Sequence, residues 1–318
     1  MLGRAQKLLL TIRTEEATFA RRGFRAGEAG AVARLERSGK SFLAGYHSAL
    51  EHEVPAALAA RLDAVDAEFR GFAFEGAGMG LALLDFLTPW RAGQLRAFLA
   101  GAGEPHTYMV HVGIGWAIAR LPWLRARLDR PLARLDPLLR WLAADGYGFH
   151  EGYFHWRRSL KSQTRPRRLT GYAARAFDQG LGRSLWFVEG GDVARIPAAI
   201  AAFPADRRAD LWSGVGLACA YAGGVDAESI RQLRAHAGDY LPQVAQGVAF
   251  AAKARSRAGN PAEHTDLACR IIGSVSADEA AAITDHALAD LPGDGAEPAY
   301  EVWRQRVQLT FAGQGFLR

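Results

Sequence analysis

Residues 145–156 read DGYGFHEGYFHW, and two incompatible folds can be drawn from them. A Gly-x-Gly turn that follows a strand and opens a helix would cradle phosphate in an α/β protein. The same two glycines inside a helix would instead thin its surface so that a neighbouring helix can come close. Uniqueness separates the two readings, because a phosphate loop occurs once.

The motif recurs. Counted from its first glycine it stands at Gly45 (GYHSA), Gly78 (GMGLA), Gly113 (GIGWA), Gly146 (GYGFH), Gly180 (GLGRS), Gly214 (GVGLA) and Gly247 (GVAFA), at intervals of 33, 35, 33, 34, 34 and 33 residues. Such regularity is the mark of a repeat array, and a degenerate eighth unit is expected at DEAAAITDHALADL (278–291). Between the markers run second amphipathic segments, among them ALAARLDAVDAEF (57–69), RAGQLRAFLAGAG (91–103), RIPAAIAAFP (195–204) and SIRQLRAHAG (229–238). Their apolar residues recur at three- and four-residue spacing, which predicts helices, and no stretch alternates with period two. The fold expected is all-α: a single α-helical repeat domain over 1–318, with seven to eight two-helix units of about 34 residues in an α/α array, solenoid or closed. Apart from Gly146, the first glycines share a helix face with a small residue four positions on, as in Gly113/Ala117 and Gly214/Ala218. Glycine inside a helix costs about 0.5–1 kcal/mol against alanine, so seven copies imply a return in close packing.

The chain of 318 residues is 49% hydrophobic and 23% charged, which suits a soluble globular protein. A net charge of +6, from 39 basic and 33 acidic residues, is too small an excess to select a partner by itself. Cys219 and Cys269 are the only cysteines and form no disulfide or zinc spacing. The apolar run in MLGRAQKLLLTIRTEE is too short for a signal-peptide core, and MGLALLDFL falls far short of the roughly 20 residues that cross a bilayer. A cytoplasmic protein without a transmembrane segment is expected.

Several blocks carry a family resemblance: FRGFAFEGAGMGLALLD (69–85), HVGIGWAIARLP (111–122), WLAADGYGFHEGYFH (141–155), FDQGLGRSLWFVEGGD (177–192), RRADLWSGVGLACAYAGG (207–224) and AYEVWRQRV (299–307). Together they resemble a bacterial family catalogued as domain of unknown function 1702, the L-type member of the "unb" cassette of enediyne antibiotic gene clusters, along essentially the whole chain. The resemblance implies an accessory role in making the enediyne core. The substrate would be the linear conjugated polyene that an iterative polyketide synthase releases, and the step its oxidation, dehydrogenation or cyclisation. It brings no catalytic residues and no cofactor with it, so those must come from the chain itself.

Equivalent positions of stacked units line one surface. The residues just before the repeated glycine are often polar: Glu75, His111, Asp145, Asp178, Gln179, Ser213 and Gln246. They would form a band in a pocket wall, or, for Asp145 and Ser213, helix caps. The fourth unit departs from its siblings, with His150 where they carry Ala or Ser and Glu151 where they are mostly apolar. Glu151 and His155, four apart, share a helix face, whereas His150 is about 100° round from Glu151 and should point elsewhere. His150, Glu151, His155 and Asp178 are the acid–base candidates for a cofactor-independent enzyme. Glu75, His111 and Asp145, with the aromatic Trp116, Tyr147, Trp186 and Trp212, are the candidate walls for a flat polyene. No metal set is complete, since His47, Glu51 and His111 could join such a site only through an unforeseen fold. The basic stretch RRSLKSQTRPRRLTG (157–171) stands where a helix is due. It is either a solvated linker or a dock for an acidic partner, such as the polyketide synthase, another cassette protein, or an anionic lipid surface. Its charge is confined to one loop, which argues against nucleic acid. The alternative to an enzyme is a non-catalytic polyene-binding or scaffold protein.

Overall fold

The computed structural model describes residues 10–51 and 55–314. They are helical throughout, with no strand among them. The start of the N-terminal stretch weighed above as a signal sequence lies outside the described residues. None of the described helices is long and apolar enough to cross a membrane.

Long helices carry the glycine motifs: α1 (Ala29–Glu51), α2 (Ala67–Leu87), α3 (Thr107–Arg120), α4 (Arg140–Phe154), α5 (Gly171–Val188), α6 (Ala205–Ala222) and α7 (Leu241–Arg257), followed by α8 (Ala277–Leu288) and α9 (Ala299–Gln314). Each of α1 to α6 packs against the next in sequence, and α7 packs against both α8 and α9. Neighbours run parallel. Trp141 meets Tyr172, Asp145 meets Gln179 and Tyr153 meets Phe187 in ascending order along α4 and α5. The chain returns through shorter helices, including Pro55–Asp63, Gln94–Leu99, Ile196–Ala201 and Ala227–Ala237, where second helices were expected. After α4 the return is a single π-helical turn, Arg157–Lys161, inside the basic stretch. The stretch expected to hold an eighth unit forms α8.

Glycines four apart share a flank, as Gly76 and Gly80 do against α1 and Gly148 and Gly152 against α5, while the two glycines of one motif serve opposite flanks. Positions i and i+2 lie about 200° apart on a helix, on opposite flanks. In α4 a Cβ on Gly146 would stand 2.0 Å from the Val112 carbonyl of α3, and one on Gly148 would stand 1.9 Å from the Phe177 carbonyl of α5. Gly180 and Gly182 do the same to Asp145 and Leu211, and Gly214 and Gly216 to Gln179 and Val244. Each helix thus touches both neighbours backbone to backbone. The geometry also resets the alignment at the start. In α2 it is Gly76 that faces back, onto Phe42, and Gly78 that faces forward, onto Val110, while Gly45 faces forward onto Ala73.

Flanks filled by backbone leave each long helix two free sides. One takes the return helices, through Ile196, Ile200, Ile230 and Leu233, all buried. The other faces an interior onto which the N-terminal elements fold. Arg34 Nε donates to the Ala222 carbonyl at 2.6 Å, and Arg255 Nη2 donates to the Glu68 carbonyl at 3.2 Å.

Candidate functional site

Residues preceding the back-facing glycines project into that interior, and their polar members join in one buried line. Arg183 Nη1 donates to Asp145 at 2.6 Å, Gln179 Nε2 to Asp145 at 2.8 Å, and Ser213 Oγ to Gln179 and Gln246 at 3.3 and 2.8 Å. Arg304 of α9 continues the line to Asp210 and Glu301 at 2.8 and 2.9 Å. The polar band expected from sequence is present here for Glu75, Asp145, Gln179, Ser213 and Gln246. None of these caps a helix, since all lie within one. His111 and Asp178 stand one residue off the line. His111 hydrogen-bonds the Thr107 carbonyl at 2.8 Å through Nδ1, and Asp178 is clamped by Arg207 at 2.6 and 2.8 Å and by Arg165 at 3.1 Å. Burial raises the Asp178 pKa, with both arginines pulling it back.

At the head of the line stands Glu75, 1% exposed. Its nearest cation is Arg183 at 3.9 Å, and Arg183 is already committed to Asp145. Neither carboxyl oxygen has a hydrogen-bond partner among the described residues, and the Trp116 N–H approaches without reaching hydrogen-bond geometry. Burial pushes the Glu75 pKa up to about 7, with Arg183 opposing and Asp145 adding to the rise. One arginine between two carboxylates pairs with the one it touches and leaves the other to the cost of burial.

Glu75 borders a cavity of about 40 Å³ walled by Phe42, Phe72, Trp116, Phe149, Tyr153 and Phe187. The rings of Phe42 and Phe149 lie 4.7 and 5.1 Å from that of Trp116. Arg183 borders a second apolar cavity of about 30 Å³, among Met109, Leu217, Phe250 and Trp303. The acid and its arginine therefore stand between two small apolar spaces. The first is covered by Glu16 and Ala17 of a short 3₁₀ turn, Thr14–Ala17. Arg22 fastens that cover, pairing with Glu16 and donating to the Phe154 carbonyl at 2.7 Å.

The fourth-unit residues are arranged differently from expectation. The structure brings His150, not His155, to Glu151: Nδ1 lies 3.2 Å from Oε1, and Arg158 caps the other oxygen. The 100° between adjacent positions fixes where each Cβ starts, and the outer atoms of two long side chains can still meet. His155 is the exposed residue that ends α4. Burial alone would raise the Glu151 pKa, but His150, His155 and Arg158 together hold it below the ordinary value, while burial lowers that of His150. None of the three borders the aromatic cavity. Of the aromatic candidates Trp116 does; Tyr147 packs on Phe177, Trp186 donates to the Gly223 carbonyl at 2.9 Å, and Trp212 is buried. Sequence reasoning missed Phe42, Phe72 and Arg183. For Arg183 the signal was available: three residues after the back-facing glycine, the other units carry Met79, Trp116, Phe149, Leu217 and Phe250. Among the described residues no group of three or more His, Cys, Asp and Glu is placed to hold a metal ion.

A family model described as protein of unknown function (DUF1702) matches residues 1–311. No curated protein and no solved structure matches the chain.

Proposed function

The chain belongs to the DUF1702 family over residues 1–311, and from that premise we propose that it acts on a linear conjugated polyene in the assembly of an enediyne core, with Glu75 as its acid–base group. We read the succession of long helices and returns as an α/α array of repeated units whose interior is the site. The carrying observation is a buried carboxyl without a hydrogen-bond partner, facing an aromatic cavity, with its pKa raised to about 7. Such a group holds or gives a proton near neutral pH, and the ring faces favour a flat, apolar, electron-rich chain. Proton transfer at a polyene carbon is what a cyclisation asks of the protein. The electrons of a dehydrogenation would leave to an acceptor carried by a partner.

A second reading is favoured by size. Ligand pockets enclose about 300–1,000 Å³, far more than the 40 Å³ of this cavity, so the polyene is not enclosed there for chemistry, and the protein would act instead as a non-catalytic polyene-binding or scaffold protein that docks the synthase or other cassette enzymes. Expression of the polyketide synthase with the wild-type protein, with Glu75→Gln, or with neither tells these apart. Catalysis predicts that Glu75→Gln accumulates the same hydrocarbon as the strain lacking the protein, while still binding a conjugated tetraene such as parinaric acid methyl ester. If Glu75→Gln yields the wild-type product, Glu75 carries no chemistry.

A further inference from the structure

We propose that the end of the molecule formed by the C-termini of α2, α3 and α4 is a docking surface for an anionic lipid membrane. Because these helices run parallel, their last residues lie side by side. There the chain exposes two large aromatic side chains in successive connections, Trp90 at 79% and Trp123 at 54%, each directly after a proline that opens a short helical turn. Buried tryptophans are plentiful in this protein, so two left in water at the same end call for a reason. Charge supplies it. The stretches 120–127 and 154–161, at and just beyond the C-termini of α3 and α4, hold six Arg and Lys and no Asp or Glu. Arg120, Arg127, Arg157 and Lys161 are exposed and form no ion pair among the described residues.

Indole rings settle at the boundary between lipid and water, and arginine and lysine are drawn to anionic headgroups. Both tryptophans protrude rather than line a groove, which suits insertion into a fluid surface better than seating an acidic protein's helix. With no described helix fit to span a bilayer, the contact would be peripheral. The aromatic cavity is covered near this same end, at Phe154, so membrane docking would bring its mouth to the phase in which an apolar chain dissolves.

The test is flotation of the full chain with vesicles of phosphatidylcholine alone or mixed three to one with phosphatidylglycerol. The expected result is binding to the mixed vesicles only, weakened by salt. Each basic residue at an anionic surface strengthens binding roughly fivefold, so Arg120→Glu with Lys161→Glu should lower it more than tenfold. Trp90→Ala with Trp123→Ala should lower it comparably, with helicity unchanged because all four side chains are exposed. Absence of binding to mixed vesicles at low salt, or binding that neither pair of substitutions alters, overturns the proposal. So does capture by polyglutamate in place of vesicles, which would assign the surface to an acidic protein. The assay contains no polyene, so its failure would leave the reading of the cavity untouched.

Discussion

Glu75→Gln should change how stability depends on pH, and the size of the change follows from the site. The folded-state pKa stands at about 7 against an ordinary 4.5. Above pH 4.5 the unfolded chain releases this proton while the folded chain keeps it until about pH 7. The unfolded state therefore binds fewer protons in that window, and stability falls as pH rises through it. At about 1.4 kcal/mol per unit the loss sums to about 3 kcal/mol, complete near pH 8. Glutamine has the same shape and no proton to lose. Guanidinium unfolding followed by circular dichroism, at pH 5 and at pH 8, should show the variant gaining about 2.5 kcal/mol on wild type between the two, since part of the loss already falls below pH 5. His150 and Asp178 are common to both proteins and cancel in the difference. Parallel curves would mean that Glu75 is ionised like a surface carboxylate, and the site as described would not exist.

Gly180→Ala would set a Cβ 1.9 Å from the Asp145 carbonyl; overpacking at rigid backbone should cost about 3 kcal/mol, beyond the ~1 kcal/mol alanine gains in a helix. Gly30→Ala, with nothing within 4 Å, should be neutral or slightly stabilising when both variants are unfolded in guanidinium. Glu151→Ala should destabilise by about 1–3 kcal/mol by stranding buried His150, yet leave tetraene binding intact, because the residue lies outside the cavity; Arg158→Ala, whose side chain is 56% exposed, should cost less than about 1 kcal/mol. Arg22→Ala should speed tetraene association in stopped-flow fluorescence by releasing the cover that Arg22 holds through Glu16 and the Phe154 carbonyl; an unchanged rate would mean that the cover does not gate the cavity.

The helices, their returns and the polar band were legible because each rests on a local period: glycine every 33 to 35 residues and a polar residue just before it. The Gly-x-Gly logic was legible only in part. The sequence suggested a shared face four apart, a spacing that Gly76/Gly80 and Gly148/Gly152 use, but not that the two glycines of one motif serve opposite flanks, which follows from a 100° turn per residue. The same arithmetic misplaced His150, since it fixes where a Cβ starts and not where a five-atom ring ends. Glu75 and Arg183 were harder still. Their relation depends on which of two carboxylates, Asp145 or Glu75, wins the single guanidinium, and no spacing between residues 75, 145 and 183 encodes a distance of 3.9 against 2.6 Å.

The packing that builds the interior also limits how it can open. Where helices touch through glycine and carbonyl on both flanks, no side chain stands at those points to repack, so α3, α4 and α5 part only by giving up backbone contacts that nothing replaces. A ligand larger than the 40 Å³ present must displace the one wall held by side chains alone, the segment Thr14–Arg22 under Arg22. Hydrogen exchange resolves this directly. On adding the tetraene, amides of the cover, such as Thr18, whose N–H bonds to Glu15 at 2.9 Å, should exchange faster, while those flanking Gly113, Gly146 and Gly180 keep their protection. Loosening between α3 and α4 with an unmoved cover would place the entrance elsewhere and break the link between the glycine array and the site.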